Sequence, residues 1–207
     1  MTLCMVHATA VVKESPAPLY PGERLHLSLQ NEVDAGVNRA AHWLKSVQHP
    51  DGYWAASNRQ ATAFAVLALQ QADPGAAAAA RGCAWLRQTA ESSSNTFWTA
   101  LATRDKMPLP PAPCILSLDK PYTLDIDGFL CLSGAQAFLL AEINRAIPTG
   151  LVVTPQGWRE RLAAKVVASQ QHDPDIPGAG FWPACGTGPE AAVEAQTALA
   201  VLILLQL

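Results

Sequence analysis

WLKSVQHPDGYW, residues 43–54, returns in altered form as WLRQTAESSSNTFW at 85–98 and as VVASQQHDPDIPGAGFW at 166–182. Each copy runs from the end of a helix-forming stretch through a polar loop and closes on Tyr or Phe followed by Trp. Repetition at this spacing marks an array of like units, because one helix pair cannot bury its own apolar face and needs a neighbour to cover it.

Amphipathic stretches precede the loops, at Asn31 to Gln48, Ala76 to Ala90 and Pro155 to Gln171. The last opens on Thr154-Pro155, which suits an N-cap and first helical turn. More apolar stretches follow, at Gln60 to Ala72, Asp127 to Ala146 and Ala191 to Leu205. They are apolar on nearly every face, as helices covered on both sides must be. The pattern predicts an all-α fold of about three helix pairs, amphipathic helices outside and apolar ones inside, antiparallel within each pair. Residues 1–28 read as an N-terminal extension and 29–207 as one domain, interrupted by a Pro-rich insertion at about 100–123 that could serve as a lid. The runs Thr62 to Leu67 and Thr197 to Leu202 share the form T-A-x-A-V-L, with small residues that permit close helix approach.

With 207 residues, half of them hydrophobic, the chain can build a sizeable core. Only 15% are charged, the net charge is -3, and no Lys/Arg cluster occurs, so the electrostatic footprint of nucleic-acid binding is missing. The N-terminus lacks the cationic region and cleavage site of a signal peptide, and the C-terminal run AVLILLQL is shorter than the roughly 20 residues a bilayer span needs. A cytoplasmic location is expected, with room for a peripheral membrane contact. The five cysteines (Cys4, Cys83, Cys114, Cys131, Cys185) are odd in number and free of CxxC spacing, so reduced thiols are expected. His49 and His172 each follow a Gln at an outer-helix end, where they can meet terminal carbonyls.

Arg39-Ala40, Trp43, Gln48, Gly52 and Trp54 resemble the QW motif of squalene-hopene and oxidosqualene cyclases. The second copy keeps Arg81-Gly82, Trp85 and Trp98 with Ala90 in place of Gln; the third keeps Gln170, Gly180 and Trp182. The resemblance implies an α/α-toroid, a fold shared with protein prenyltransferases, in which Gln48, Trp54, Trp98, Gln170 and Trp182 tie neighbouring repeats together. Three pairs would make a partial toroid, about half a ring. An open half-ring would expose its apolar inner helices, so a homo-oligomer or a second half-toroid protein is the expected partner, with Ala198 to Leu207 as the edge.

LDIDG at 124–128 resembles the acidic DxDD motif of class II terpene cyclases, with Gly128 where the last Asp stands. The resemblance implies that Asp127 is the proton donor to a linear polyprenyl substrate and Asp125 its tuning partner, and it implies no cofactor. Two close carboxylates in an apolar cavity raise one pKa and keep an acid protonated at neutral pH. An Asp ahead of a helix is equally an N-cap, and that reading stays open. Phe64, Phe129 and Phe138 are the candidate substrate-binding aromatics, able to stabilise a carbocation or simply to fill a core. FLCLSGA at 129–135 is similar to a stretch of prenyltransferase β subunits, but the zinc-binding His is absent and Asp127 stands in its place, so no metal is expected. WPACGTG at 182–188 resembles the Cys-His-Gly loops of lanthionine cyclases, again without the His. Two functions therefore compete: a cyclase acting on an isoprenoid, and a noncatalytic toroid-type module that binds a hydrophobic ligand or a protein partner.

Overall fold

The computed structural model describes residues 25–89, 97–103, 122–126, 129, 131–146, 152–188 and 190–207. Seven helices occur among them: α1 (Leu27–Ser46), α2 (Arg59–Ala72), α3 (Ala77–Gln88), α4 (Phe97–Thr103), α5 (Gly134–Ala146), α6 (Trp158–Ala168) and α7 (Val193–Leu204). Two short ladders accompany them. β1 (Tyr122–Thr123) runs parallel to β2 (Val152–Val153), and β3 (Gln171–His172) runs antiparallel to β4 (Gly180–Phe181) with Gln171 opposite Phe181.

The fold is all-α, and its layers follow the apolar content of the helices. In α2 every residue from Ala61 to Leu69 is buried, and in α7 every residue from Ala195 to Leu204. These two helices lie against each other at the centre, while α1 and α3 pack on their outer sides and α6 lies against α1 and α7. The outer helices bury one face only: in α1 that face is Val33, Gly36, Val37, Ala40, Ala41, Trp43 and Leu44, at the spacing of a helical stripe. Asn58 starts α2 by accepting a hydrogen bond from the Ala61 amide, which satisfies one of the donors that a helix start leaves without a partner.

The contacts run in chain order and return to the beginning. The pair α1–α2 meets α3–α4; the ring of Phe97 in α4 meets Phe138 in α5 at 5.6 Å; α5 packs on α7; and α6–α7 packs back onto α1–α2. Three sequence expectations change here. The apolar inner helix of the second pair is the short α4, so Ala100 to Thr103 belong to a helix and not to the insertion, and α5 is a further helix that starts at Gly134, short of the expected Asp127. At the far end of the insertion Tyr122 and Thr123 form β1, and residues 104–121, with the lid role, lie outside the described residues. Within the expected edge Ala198 to Leu207, residues Ala198 to Leu204 are 0–4% exposed in the chain itself and Leu205 is 40% exposed. The chain covers its own central helices because its last pair reaches its first.

The cysteine expectation is also corrected. Cys131 and Cys185 form a disulfide, with Cα atoms 5.4 Å apart. Sequence spacing could not show it, because the bond joins the loop ahead of α5 to the loop ahead of α7, 54 residues on. Cys83 lies buried on α3 with its thiol donating to the Ala102 carbonyl at 3.3 Å, and Cys4 and Cys114 fall outside the described residues. No described helix is long and apolar enough to cross a membrane.

Candidate functional site

Two loops of the repeat are held by the same set of bonds. Trp54 is 1% exposed; its indole N–H donates to the Leu44 carbonyl at 2.8 Å, and its amide donates to the Thr62 hydroxyl at 3.1 Å. Trp182 is 3% exposed; its indole N–H donates to the Val166 carbonyl at 2.7 Å, and its amide donates to the Thr197 hydroxyl at 3.0 Å. Each Trp thus pins its loop to the outer helix before it and to the first turn of the inner helix after it. Thr62 and Thr197 escaped the sequence reading as partners, although both open the shared T-A-x-A-V-L run.

The glutamines reach onward to the next pair. Gln48 donates to the Gly52 and Ala78 carbonyls, both at 2.9 Å, and accepts from Arg81 at 2.5 Å. Gln170 donates to the Gly36 carbonyl at 2.9 Å and accepts from Arg39 through Nε at 2.9 Å and Nη2 at 2.7 Å. Arg39 and Arg81 hold the same place in their helices, so one clasp is made between pairs one and two and again between pairs three and one. The aromatic ahead of each Trp adds to the junction: Tyr53 packs on Trp85 at 5.4 Å and Phe181 on Trp43 at 5.5 Å. Gly52 has φ +102°, and a Cβ there would lie 2.7 Å from the Arg81 carbonyl, so the clasp requires glycine for both conformation and space.

The third junction carries an extra bond with a consequence for acid stability. The Trp43 indole donates to Asp173 at 2.7 Å and, together with amide bonds from Asp175 and Ile176, holds this carboxyl below its ordinary 3.8. A folded-state pKa below the unfolded one gives stability that is complete above about pH 4 and is lost as pH falls through the folded value. Asp173→Asn is therefore expected to flatten the loss of stability as pH falls below about 4 relative to the unsubstituted chain, as measured by urea melts at falling pH. Parallel pH profiles would show that the ionised Asp173 carboxylate is held no better in the native state than in the unfolded chain.

His49 and His172 do not meet helix-terminal carbonyls. The His49 ring stacks on Tyr53 at 4.2 Å and its Nδ1 accepts from the Asp51 amide, while His172 lies in β3 opposite Gly180. Both positions sit past the last helical turn, where the chain has already bent away.

The N-terminal ends of α2, α4, α5 and α7 come together at one end of the molecule, and this is the place where the repeat geometry gathers chemistry. Glu190, ahead of α7, accepts from Gln60 of α2 at 2.7 Å and from the Gly134 amide of α5 at 3.2 Å. The buried Gln196 donates to the Leu132 carbonyl at 2.8 Å and accepts from its amide at 3.1 Å, acting as a strand-like bridge between α7 and the loop before α5. Ala55, Ala56 and Ser57, on the rim before α2, all have positive φ (50°, 51° and 66°). Left-handed backbone costs a residue with a Cβ about 1–2 kcal/mol, so this turn is held by its surroundings and not by its own preference. Arg59 donates to the Thr89 hydroxyl, while its Nε and Nη2 are buried with no hydrogen-bond partner among the described residues.

At the centre of this end stands Phe64. It is 0% exposed, its ring meets Trp98 edge-on at 5.1 Å, and a Cβ at Gly134 would come within 2.9 Å of its Cζ. Phe64 of α2 therefore reaches the first residue of α5, and the glycine there is what admits it. Of the other candidate aromatics, Phe129 is 4% exposed in the core and Phe138 is half-buried against Phe97. Trp98, half-buried, contributes to this cluster.

No family model, characterised protein or solved structure matches this chain.

The two aspartates are not shown together. Asp125 is exposed, on the segment whose Ile126 carbonyl accepts from Lys165 of α6 at 3.2 Å; Asp127 lies outside the described residues. At the opposite end of the central helices Gln70, Pro74, Gly75, Cys83, Arg87 and Thr103 line an open depression of about 380 Å³, which includes none of the candidate substrate-binding residues. Among the described residues, no three His, Cys, Asp or Glu side chains gather closely enough to hold a metal ion.

Proposed function

We propose that the chain is a noncatalytic module of the α/α-toroid kind, a small array of inner and outer helix pairs that binds a protein partner on its exterior. The observation that carries this reading is the placement of Phe64: between Trp98 and Gly134 it occupies the space among the inner-helix starts where a cyclase would hold its substrate. With side chains in that space, a partner is met at the surface, and the rim formed by Ala55 to Ser57, Cys131 and the loop after Trp182 is the exposed face of the four helix starts. Pairing with a second half-ring loses its motive, because α7 is covered from within.

A second reading, an acid-initiated cyclase of linear polyprenyl substrates with Asp127 as acid and Asp125 as its partner, draws support from the ring contacts that join Phe64, Trp98, Phe97 and Phe138 into one aromatic group. The two readings separate in one experiment. Purified protein incubated with squalene and with farnesyl and geranylgeranyl diphosphates is expected to yield no cyclised product and no thermal shift. Product that disappears in Asp127→Asn would replace the binding module with the cyclase.

A further inference from the structure

We propose that the Cys131–Cys185 disulfide is a redox-sensitive latch on the start of α5, opened by a dithiol reductant. The bond is reachable: Cys131 is exposed and Cys185 half-buried. Exposed disulfides are the ones that exchange readily with thiols, because the attacking thiolate must approach a sulfur. The exchange balances without any further reactant. One thiolate of the dithiol attacks one sulfur, giving a mixed disulfide and releasing the other cysteine as a thiolate that takes a proton from water. The second thiol of the reductant then displaces the first cysteine, leaving two protein thiols and an oxidised, cyclic reductant.

What the latch controls follows from the other attachments of α5. Its leading loop is tied by Gln196 to Leu132 and its first amide by Glu190. Farther along, Gln206 donates to the Ala137 carbonyl at 3.1 Å and Asn144 donates to the Gln206 carbonyl at 2.9 Å. These partners lie between residues 190 and 206, and near the end of the helix Arg159 of α6 donates to the Asn144 side-chain oxygen at 2.8 Å, so the start of α5 is tied to the residues around α7 and its end also to α6. The clasps at Gln48 and Gln170 and the two Trp anchors involve no residue of α5. Loss of the covalent tie therefore loosens α5 and leaves the rest of the array closed. The start of α5 also covers the filled centre, with Gly134 against Phe64 and Trp98, and Phe138 against Phe97. Release uncovers Phe64, wholly buried in the oxidised protein, and widens the exposure of the half-buried Trp98, Phe97 and Phe138.

The latch rests on the reachable disulfide and on the ties of α5 to residues 190–206 and not on the proposed function, so product formation would sink that function and leave the loosening of α5 on reduction standing. The test is amide hydrogen exchange on the full chain, oxidised and after treatment with dithiothreitol. Backbone amides of 134–146 are expected to exchange at least about tenfold faster on reduction, with α2 and the helical part of α7 unchanged. The double variant Cys131→Ser, Cys185→Ser is expected to show the fast pattern with or without reductant. Exchange that is unaffected by reduction, acceleration throughout the molecule, or alkylation of Cys131 and Cys185 before any reductant is added would each overturn the proposal; the wild-type measurement stands even where the double variant fails to fold.

Discussion

Trp54→Ala and Trp182→Ala are each expected to lower the unfolding free energy by about 3–5 kcal/mol, the range for emptying a buried aromatic site. Both rings are almost wholly inaccessible, at 1% and 3% exposure. Each indole also donates to a helix-terminal carbonyl: truncation would take from Leu44 its indole donor, while the Val166 carbonyl would keep the amide and hydroxyl of Ser169. Against the 5–15 kcal/mol typical of a whole domain, either change removes a large share of stability. Trp98→Ala is expected to cost less, since that ring is half-buried. Urea titrations followed by circular dichroism give the comparison. The informative result is the equality of the first two: if Trp182→Ala were mild while Trp54→Ala was severe, the third copy of the motif would not be an anchor, and the return of the last pair onto the first would rest on something else.

That equality was only half legible in the sequence. The repeat, the all-α class and the burial of α2 and α7 could be read because they depend on local pattern, apolar residues at helical spacing and loops that end in an aromatic and Trp, whereas the helix that completes the second pair could not. The clasp residues Gln48 and Gln170 stand out through their place in the motif, and the helix that each clasps could not be known, since Arg39 and Gln170 are 131 residues apart. The contacts of α7 with α1 and α2, which bury it within the chain, were therefore not legible. The same limit explains the cysteines. Spacing rules detect short-range ligand sets and say nothing about two lone residues that lie in different loops until the fold sets those loops side by side. The N-terminal cluster of Gln60, Glu190 and Gln196 had no signal at all, because polar residues beside helix starts are ordinary and their convergence is a tertiary fact.

Phe64→Ala separates the two functional readings by its cost. In a packed centre the ring is as much a part of the core as any leucine, and its removal is expected to cost about 3–5 kcal/mol and to leave an apolar void between Trp98 and Gly134. A void of that kind stays dry and takes up small apolar molecules. The variant is therefore expected to gain a stabilising thermal shift with benzene that the unsubstituted chain lacks. A substrate-lining aromatic behaves differently, because it borders open space and its truncation enlarges a cavity that already exists. The stability loss would then be small and the benzene shift present before the substitution. The neighbouring Gly134 gives an independent check of the same geometry. Gly134→Ala would drive a methyl group to within 2.9 Å of the Phe64 ring and 2.8 Å of the Trp98 indole nitrogen. It is expected to destabilise the chain by about 1–3 kcal/mol by overpacking, and to recover part of that loss in the double variant with Phe64→Ala. Such recovery requires the two residues to share one filled space. Strict additivity of the two costs would mean that the centre has slack, and the cyclase reading would regain the room it needs.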